Sequence, residues 1–475
     1  MRTTLVLVGI VAAVFLVPVI IGLSRDNALG YDEALYAHVT RHWATLGASS
    51  VSGWGIHRPP ALPVIGVPLY LAGSGEEWTL RLSGVVSGLV IVAAAWRGGT
   101  ILAGSVAGII AALATAAASP IQVEATSYLT DLPSTAVLLV LAVLCLEVLW
   151  SPPPRRRDFV LMAVLAVLAF YIRYGAALDV IALVAAAAAT RPRAIVSREA
   201  AFGAAVGAVL LLPHLIGAGT ATGSPFGILD AARRAATGDG GVPLGDYVRW
   251  LPFDLVGPVG AGLALLAAAM AVRFVARPRD IDEPFRSRGL FLAGAAGLSL
   301  LLIGLSVHAE PRYVLFPLVM LIVLGSGGLG RVVTGPTRRT WAVPLVTVVL
   351  TVAALVGLQR TMAVVGDRSA RWDWLRTAGR DIAVDARGGT CSVLTSDVPI
   401  IAWYSGCAGV NYLTGDEPDR LSLLTGSRRY IVERSDDHLQ PDDSAMRGLT
   451  SDATPWRSYR DGFGEEVARV FRLAP

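Results

Sequence analysis

Lysine is absent from this chain of 475 residues. All 40 basic residues are arginine, so every fixed cation is a guanidinium and no site can rest on an ammonium side chain. Together with abundant alanine, glycine and valine, this usage reflects a GC-rich coding sequence more than a mechanism. Charge is scarce as well, 16% against 54% hydrophobic residues, which is too apolar for a soluble protein of this size. The net charge of +4 is too small and too scattered for a nucleic-acid surface. Only three cysteines occur and none form a CxxC pair, so a thiol redox motif is excluded. There is no glycine-rich phosphate loop, internal repeat or low-complexity tract.

What the chain has instead is long apolar runs. They lie near 5–23, 81–103, 104–119, 132–150, 159–172, 175–190, 200–217, 255–274, 289–307, 313–331 and 341–358. Most are long enough to cross a hydrocarbon core of ~30 Å, and backbone inside lipid must bond internally, so each is expected to be a helix. The expectation is an α-helical polytopic membrane protein of about eleven spans with a small C-terminal α/β domain. The first run exceeds the 7–15 residues of a signal h-region and lacks a clean small-x-small site, so it is read as a retained span. Residues 61–73 are apolar but too short to cross, which predicts a helix at the interface.

Alternate loops carry the arginines. Arg155 to Arg157, then Arg191, Arg193 and Arg198, then Arg273 through Arg288, then Arg331, Arg338 and Arg339 make 14, against about 8 in the opposite short loops. The positive-inside rule places those four loops and the N-terminus in the cytoplasm, and the tail outside the plasma membrane. Asp32, Arg58, Asp131, Arg173 and Arg312 then share the outer face. The division expected is a membrane domain over 1–360 and an extracytoplasmic soluble domain over 361–475. In that tail, Trp372, Trp374, Leu375 and Ile382 suggest an amphipathic helix after the last span. Apolar runs at 391–395, 400–404, 430–433 and 467–471 read as strands. Cys145 is expected to be a buried thiol. Cys391 and Cys407, in an oxidising compartment, are expected to form a disulfide.

Several ionisable residues stand where chemistry at a membrane face would need them. Asp32 and Glu33, in Tyr31-Asp32-Glu33-Ala34, follow the first span directly; a carboxylate held beside a bilayer serves either as a general base or as a helix N-terminal charge. In His57-Arg58-Pro59-Pro60 the prolines stiffen a turn and fix where the guanidinium points, either to a phosphate or to a lipid headgroup. Asp131 precedes Pro133 at a helix start, as an acceptor-orienting or metal-binding group or as an N-cap; Glu124 lies in the same loop. Arg173 interrupts an apolar stretch and either faces a polar cavity or snorkels. His308, Glu310, Arg312 and Tyr313 form a polar knot between two spans, suited to a lipid-linked phosphate or to a tight turn.

Taken in order, Tyr31-Asp32-Glu33-Ala34-x-Tyr36, His57-Arg58-Pro59-Pro60, Arg81-Leu82-Ser83, Asp131-Leu132-Pro133 and Pro311-Arg312-Tyr313 resemble the polytopic GT-C glycosyltransferases that use polyprenyl-phosphate sugars. That group includes protein O-mannosyltransferases and the aminoarabinose transferase acting on lipid A. The resemblance covers roughly residues 1–360. It implies that Asp32 is the base, that Asp131 is a second acidic site, and that Arg58, Arg173, Arg312 and Tyr313 hold the donor phosphate. Relatives often carry lysine before the paired prolines and near Arg173, so donor identity does not transfer. The activity implied is inverting transfer of a sugar to a hydroxyl of a protein, lipid or cell-wall glycan, at a multi-pass cell-membrane enzyme. Partners are the lipid donor, membrane lipids and the acceptor, with no nucleic acid. The resemblance implies no defined cofactor, and a divalent metal stays open. The alternative is a polyprenyl-lipid flippase or carrier, which would need the arginines but no poised carboxylate.

Overall fold

The protein is described here by a computed structural model that covers residues 2–25, 27–46, 58–151, 155–228, 230, 244–306, 310–334, 342–412, 421–435 and 440–474. Eight of the described helices are long and apolar enough to cross a membrane. They are α1 (Arg2–Ser24), α4 (Glu77–Ala103), α7 (Asp131–Val148), α11 (Arg198–Thr222), α13 (Gly257–Ala276), α14 (Glu283–Ser306), α15 (Leu315–Thr334, entered through a 3-10 turn at Pro311–Val314) and α16 (Ala342–Ala386). Shorter helices join them: α2 (Tyr31–Thr45), α3 (Ala61–Ala72), α5 (Ser105–Ala116), α6 (Ser119–Glu124), α8 (Arg156–Ile172), α9 (Ala176–Thr190), α10 (Pro192–Ile195) and α12 (Leu244–Trp250). The run at 104–119 is therefore not one span. A turn at Ala117 and Ala118 divides it into α5 and α6, with Pro120 in the first turn of α6, where proline's missing N–H costs nothing.

By contacts the chain sorts into two compact units. The first comprises Met1–Ile21, Ile56–Leu62 and Leu82–Met362. Its helices pack closely where side chains vanish. A Cβ on Gly325 of α15 would sit 2.1 Å from the Leu263 carbonyl of α13, and one on Gly203 of α11 would sit 2.7 Å from the Phe159 carbonyl of α8. Such close backbone approach is how helices associate in lipid, where burial alone gives little drive. A cluster of Ile110, Leu255, Val256, Val314, Leu318 and Ile322 lies fully inside, around the entry to α15.

The second unit comprises Gly22–Gly55, Pro63–Arg81 and Ala363–Pro475. It contains a five-stranded sheet of order β2-β1-β3-β5-β4, from β1 (Cys391–Leu394), β2 (Ala408–Val410), β3 (Arg428–Arg434), β4 (Ala453–Arg460) and β5 (Glu466–Leu473). β1 runs parallel to β2 and β3, while β5 is antiparallel to β3 and β4. Cys391 and Cys407 are disulfide-bonded, with Cα atoms 4.8 Å apart, beside the Ser392–Ala408 register of β1 and β2. Leu394, Ile431, Phe471, Met446 and Leu449 form the core, the last two from α18 (Asp443–Thr450).

Two features of the tail differ from the pattern expected. Residues 400–404 are not a strand but part of α17 (Val398–Ser405), which Pro399 opens and left-handed Gly406 closes. Four of the five residues in that run are buried, so it lacks the alternation that would distinguish strand from helix. The amphipathic helix around Trp374 is also not a separate element. It is the last third of the 45-residue α16.

Candidate functional site

Within the first unit, three helix ends bring charge together. Asp131 is the first residue of α7; Thr130 stands at the N-cap position without a side-chain capping hydrogen bond, so of the alternatives for Asp131 the N-cap is not the one adopted. Arg173 is the C-cap of α8, where extended backbone ends the helix. Arg312 stands in the 3-10 turn before α15. Their side chains meet. Arg173 Nε lies 3.0 Å from Asp131 Oδ1, and Arg312 Nε lies 3.6 Å from Asp131 Oδ2. The Asp131 side chain is 6% exposed and the Arg173 and Arg312 side chains 17% and 21%, which makes this a largely desolvated triad whose members depend on one another.

Tyr313 and Glu310 extend the triad. The Arg173 guanidinium sits 4.3 Å from the Tyr313 ring centroid, a cation–π contact, and that of Arg312 sits 5.7 Å from it. Glu310 Oε2 is 4.0 Å from Arg312 Nε. The Glu310 backbone N–H donates to Tyr247 Oη at 3.3 Å. Burial raises the Tyr247 phenol to about 12, against the opposing effect of that hydrogen bond. Buried Glu124, the last residue of α6, adds negative charge around Arg312. The Arg58 carbonyl accepts from Tyr174 Oη at 3.4 Å, so the turn of Arg58 and its prolines is tied to the residue following Arg173. His57 and His308 lie outside the described residues.

The second unit holds Asp32 and Glu33, and separates their parts. Glu33 is buried at the third position of α2, accepts the Gly30 N–H at 2.8 Å, and faces Arg81 Nε at 3.4 Å. Arg81 also donates to the carbonyls of Asn27 (3.1 Å) and Ala28 (3.3 Å). Glu33 is thus committed to folding the loop, while its neighbour Asp32 is only half-buried. The tail residues of the same unit pin this loop further. Asp373 Oδ1 accepts the Ala28 N–H at 2.8 Å, and Tyr404 Oη accepts the Leu29 N–H at 2.9 Å while donating to Glu77 at 2.8 Å. His38 Nε2 lies 2.9 Å from the Pro399 carbonyl and Nδ1 lies 2.9 Å from Arg41 Nη2. A carbonyl can only accept and a guanidinium can only donate, so the ring is the neutral Nε2–H tautomer. Burial first, and then Arg41, lower its pKa to about 4.

Sequence reasoning gave Arg81 no role of its own and passed over Tyr247, His38 and Glu77. The signal for Arg81 was present, a charge at the head of an apolar run. For the others the partner is more than 60 residues away, beyond any local pattern.

Both Asp131 oxygens face guanidiniums, a donor set that suits ion pairing and not a divalent cation. Among the described residues no group of three or more His, Cys, Asp or Glu is placed to hold a metal ion. A cavity of about 750 Å³ in the first unit is lined by residues such as Leu7, Ile110, Leu113, Val333 and Leu350. Val333 lies roughly 27 Å along α15 from the end beside Arg312, so this recess is apolar space and not the charged site.

Residues 57–216 match the family described as dolichyl-phosphate-mannose-protein mannosyltransferase. ArnT from Cupriavidus metallidurans, solved bound to undecaprenyl phosphate, superposes with a TM-score of 0.71 over 98% of this chain and 99% of its own, at 18% identity. The fold is that of a GT-C membrane glycosyltransferase. The GT-C likeness extends to the oligosaccharyltransferase AglB from Archaeoglobus fulgidus, in complex with an inhibitory peptide and a dolichol-phosphate. There the TM-score is 0.61 at 9% identity, covering 96% of this chain and 74% of that one. It extends also to the mycobacterial arabinofuranosyltransferase AftD, with a TM-score of 0.54 at 16% identity, covering 98% and 41%. The comparison with curated protein sequences returns no match. An oligosaccharyltransferase and an arabinofuranosyltransferase share this architecture, so the architecture by itself does not select a substrate.

Proposed function

We propose that this protein transfers a monosaccharide from a polyprenyl phosphate to a hydroxyl acceptor at the outer face of the plasma membrane, with inversion at the sugar carbon. The observation that carries the reading is the convergence of Arg173 and Arg312 on one desolvated carboxylate, with Tyr313 stacked against the first. Two guanidiniums held side by side match the oxygens of a phosphate. Phosphate carriers in the ArnT and AglB structures are consistent with that ligand.

In the reaction, the acceptor oxygen attacks the anomeric carbon as the bond from that carbon to the phosphate oxygen breaks. Arg173 and Arg312, with Arg58, stabilise the negative charge growing on the departing phosphate. Asp32 takes the proton from the hydroxyl. Asp131 positions the two arginines, and Glu33 positions the loop that carries Asp32. The arginine excess of the alternate loops supports a cytoplasmic N-terminus and an extracytoplasmic tail.

Asp32→Asn tests the assignment, because it removes the basic oxygen and keeps the shape. Loss of a general base costs about 10²–10⁴ in rate, so transfer should collapse while the purified variant still binds polyprenyl phosphate and melts like wild type. Undiminished transfer would remove Asp32 from the mechanism. Lipid translocation by the wild-type protein with no transfer at all would make it a carrier.

A further inference from the structure

The end of the first unit that carries the arginine-rich loops holds a second arginine site, apart from the one just described. The C-terminus of α7, the α9–α10 turn and the start of α11 surround a recess of about 670 Å³ lined by Trp150, Thr190, Arg191, Arg193, Ser197 and Glu199. Arg191 is half-buried, with its guanidinium 4.9 Å from the Trp150 ring centroid, and its Nε is buried without a hydrogen-bond partner among the described residues. Trp150 is itself fixed, donating from Nε1 to Ser287 Oγ at 2.9 Å. Arg193 is exposed. Two guanidiniums against Glu199 leave one positive charge in excess.

Leu149 lines this recess and also a neighbouring apolar groove of about 220 Å³ between α7, α8, α9 and α11. The groove runs from Leu149 past Cys145 to Leu141, roughly 12 Å along α7. The small residues Ala200, Gly203 and Ala204 leave it open, and Val184 at its edge is 53% exposed. An aromatic–arginine rim over an apolar slot is the form of a lipid contact at the membrane interface.

We propose that this recess and groove bind one anionic phospholipid of the surrounding leaflet, with its phosphodiester on Arg191 and Arg193 and one acyl chain along the groove. The single excess charge matches a monoanionic headgroup and does not match a zwitterionic one. Arg191 and Arg193, which line the recess, supply guanidinium donors to the phosphodiester. The site is independent of sugar transfer. The positive-inside rule puts it in the cytoplasmic leaflet, opposite the face proposed for chemistry.

Native mass spectrometry of the full-length protein, titrated with phosphatidylglycerol or phosphatidylcholine in detergent, tests this. Wild type should retain one phosphatidylglycerol in preference to phosphatidylcholine. A basic residue near a lipid surface contributes a factor of about 5, so Arg193→Gln should weaken retention about 5-fold and Arg191→Gln with Arg193→Gln about 30-fold. Ala204→Phe fills the groove and leaves both charges, and it should also abolish retention. Melting in phosphatidylcholine should match wild type for Arg193→Gln, which alters an exposed side chain only. Equal retention of both lipids, or unchanged retention by the double variant, would each overturn the proposal.

Discussion

Replacing Asp131 with asparagine tests both the energetic coupling of the Asp131, Arg173 and Arg312 triad and its assignment to phosphate. The carboxylate stands 3.0 Å and 3.6 Å from the guanidiniums of two arginines whose side chains are about one-fifth exposed. At an effective dielectric of ~20 each contact is worth about 5 kcal/mol of attraction before desolvation. Removing the charge leaves two cations facing each other, and breaking a buried pair in this way costs 3–5 kcal/mol in measured cases. The residual exposure of the arginines argues for the lower end, about 3 kcal/mol. Unfolding entropy of about 2 cal/mol/K per residue over a chain of 475 residues turns that into a fall of roughly 3 °C in Tm. If the arginines are the phosphate site, they lose their competitor, and polyprenyl phosphate should bind the variant more tightly and restore its Tm. Differential scanning fluorimetry in detergent, with and without polyprenyl phosphate, reads both effects. A variant as stable as wild type would show that the triad is not energetically coupled. A destabilised variant that polyprenyl phosphate does not rescue would show that the guanidiniums do not meet the ligand.

Arg312→Lys retains charge but loses the planar fork, so polyprenyl-phosphate affinity should fall about tenfold with Tm nearly unchanged, and isothermal titration showing wild-type affinity would place the phosphate elsewhere. Alkaline phosphatase fused after Leu358 should be active, and an inactive but fully expressed fusion would reverse the topology. His38 gives a pH signature. Its pKa is lowered from 6.5 to about 4, so the folded ring stays neutral while the unfolded ring takes up a proton. The stability it contributes is full above pH 6.5 and is lost as pH falls from 6.5 toward 4, by up to roughly 3 kcal/mol. Denaturant midpoints between pH 7 and pH 5 should fall for wild type and flatten in His38→Gln. Equal slopes would mean that another group titrates.

What the sequence alone determined is whatever is written locally. Apolar runs specify membrane helices because backbone in lipid must bond to itself, and the alternating arginines of the loops follow from the cost of moving them across. The acidic, proline and Arg-Tyr motifs could be read because each is a short string with its own chemistry. The continuous α16 was less legible, although the cue was an absence: no proline lies between Pro344 and Pro399 to stop the helix, and a change of polarity on its surface does not break a backbone. Residues 400–404 were ambiguous for a physical reason, since burial of four of the five residues erases periodicity. The tertiary structure decided the pairings. Asp131 meets Arg173 and Arg312 from 42 and 181 residues away, and Glu33 meets Arg81 from 48. Only the folded chain shows that Glu33 is held by Arg81 and the Gly30 N–H, because that depends on which distant cation the backbone delivers. Only the folded chain joins the tail to the segment after α1, through Asp373, Tyr404 and Pro399. No property of those residues in sequence announces a partner more than 300 positions earlier.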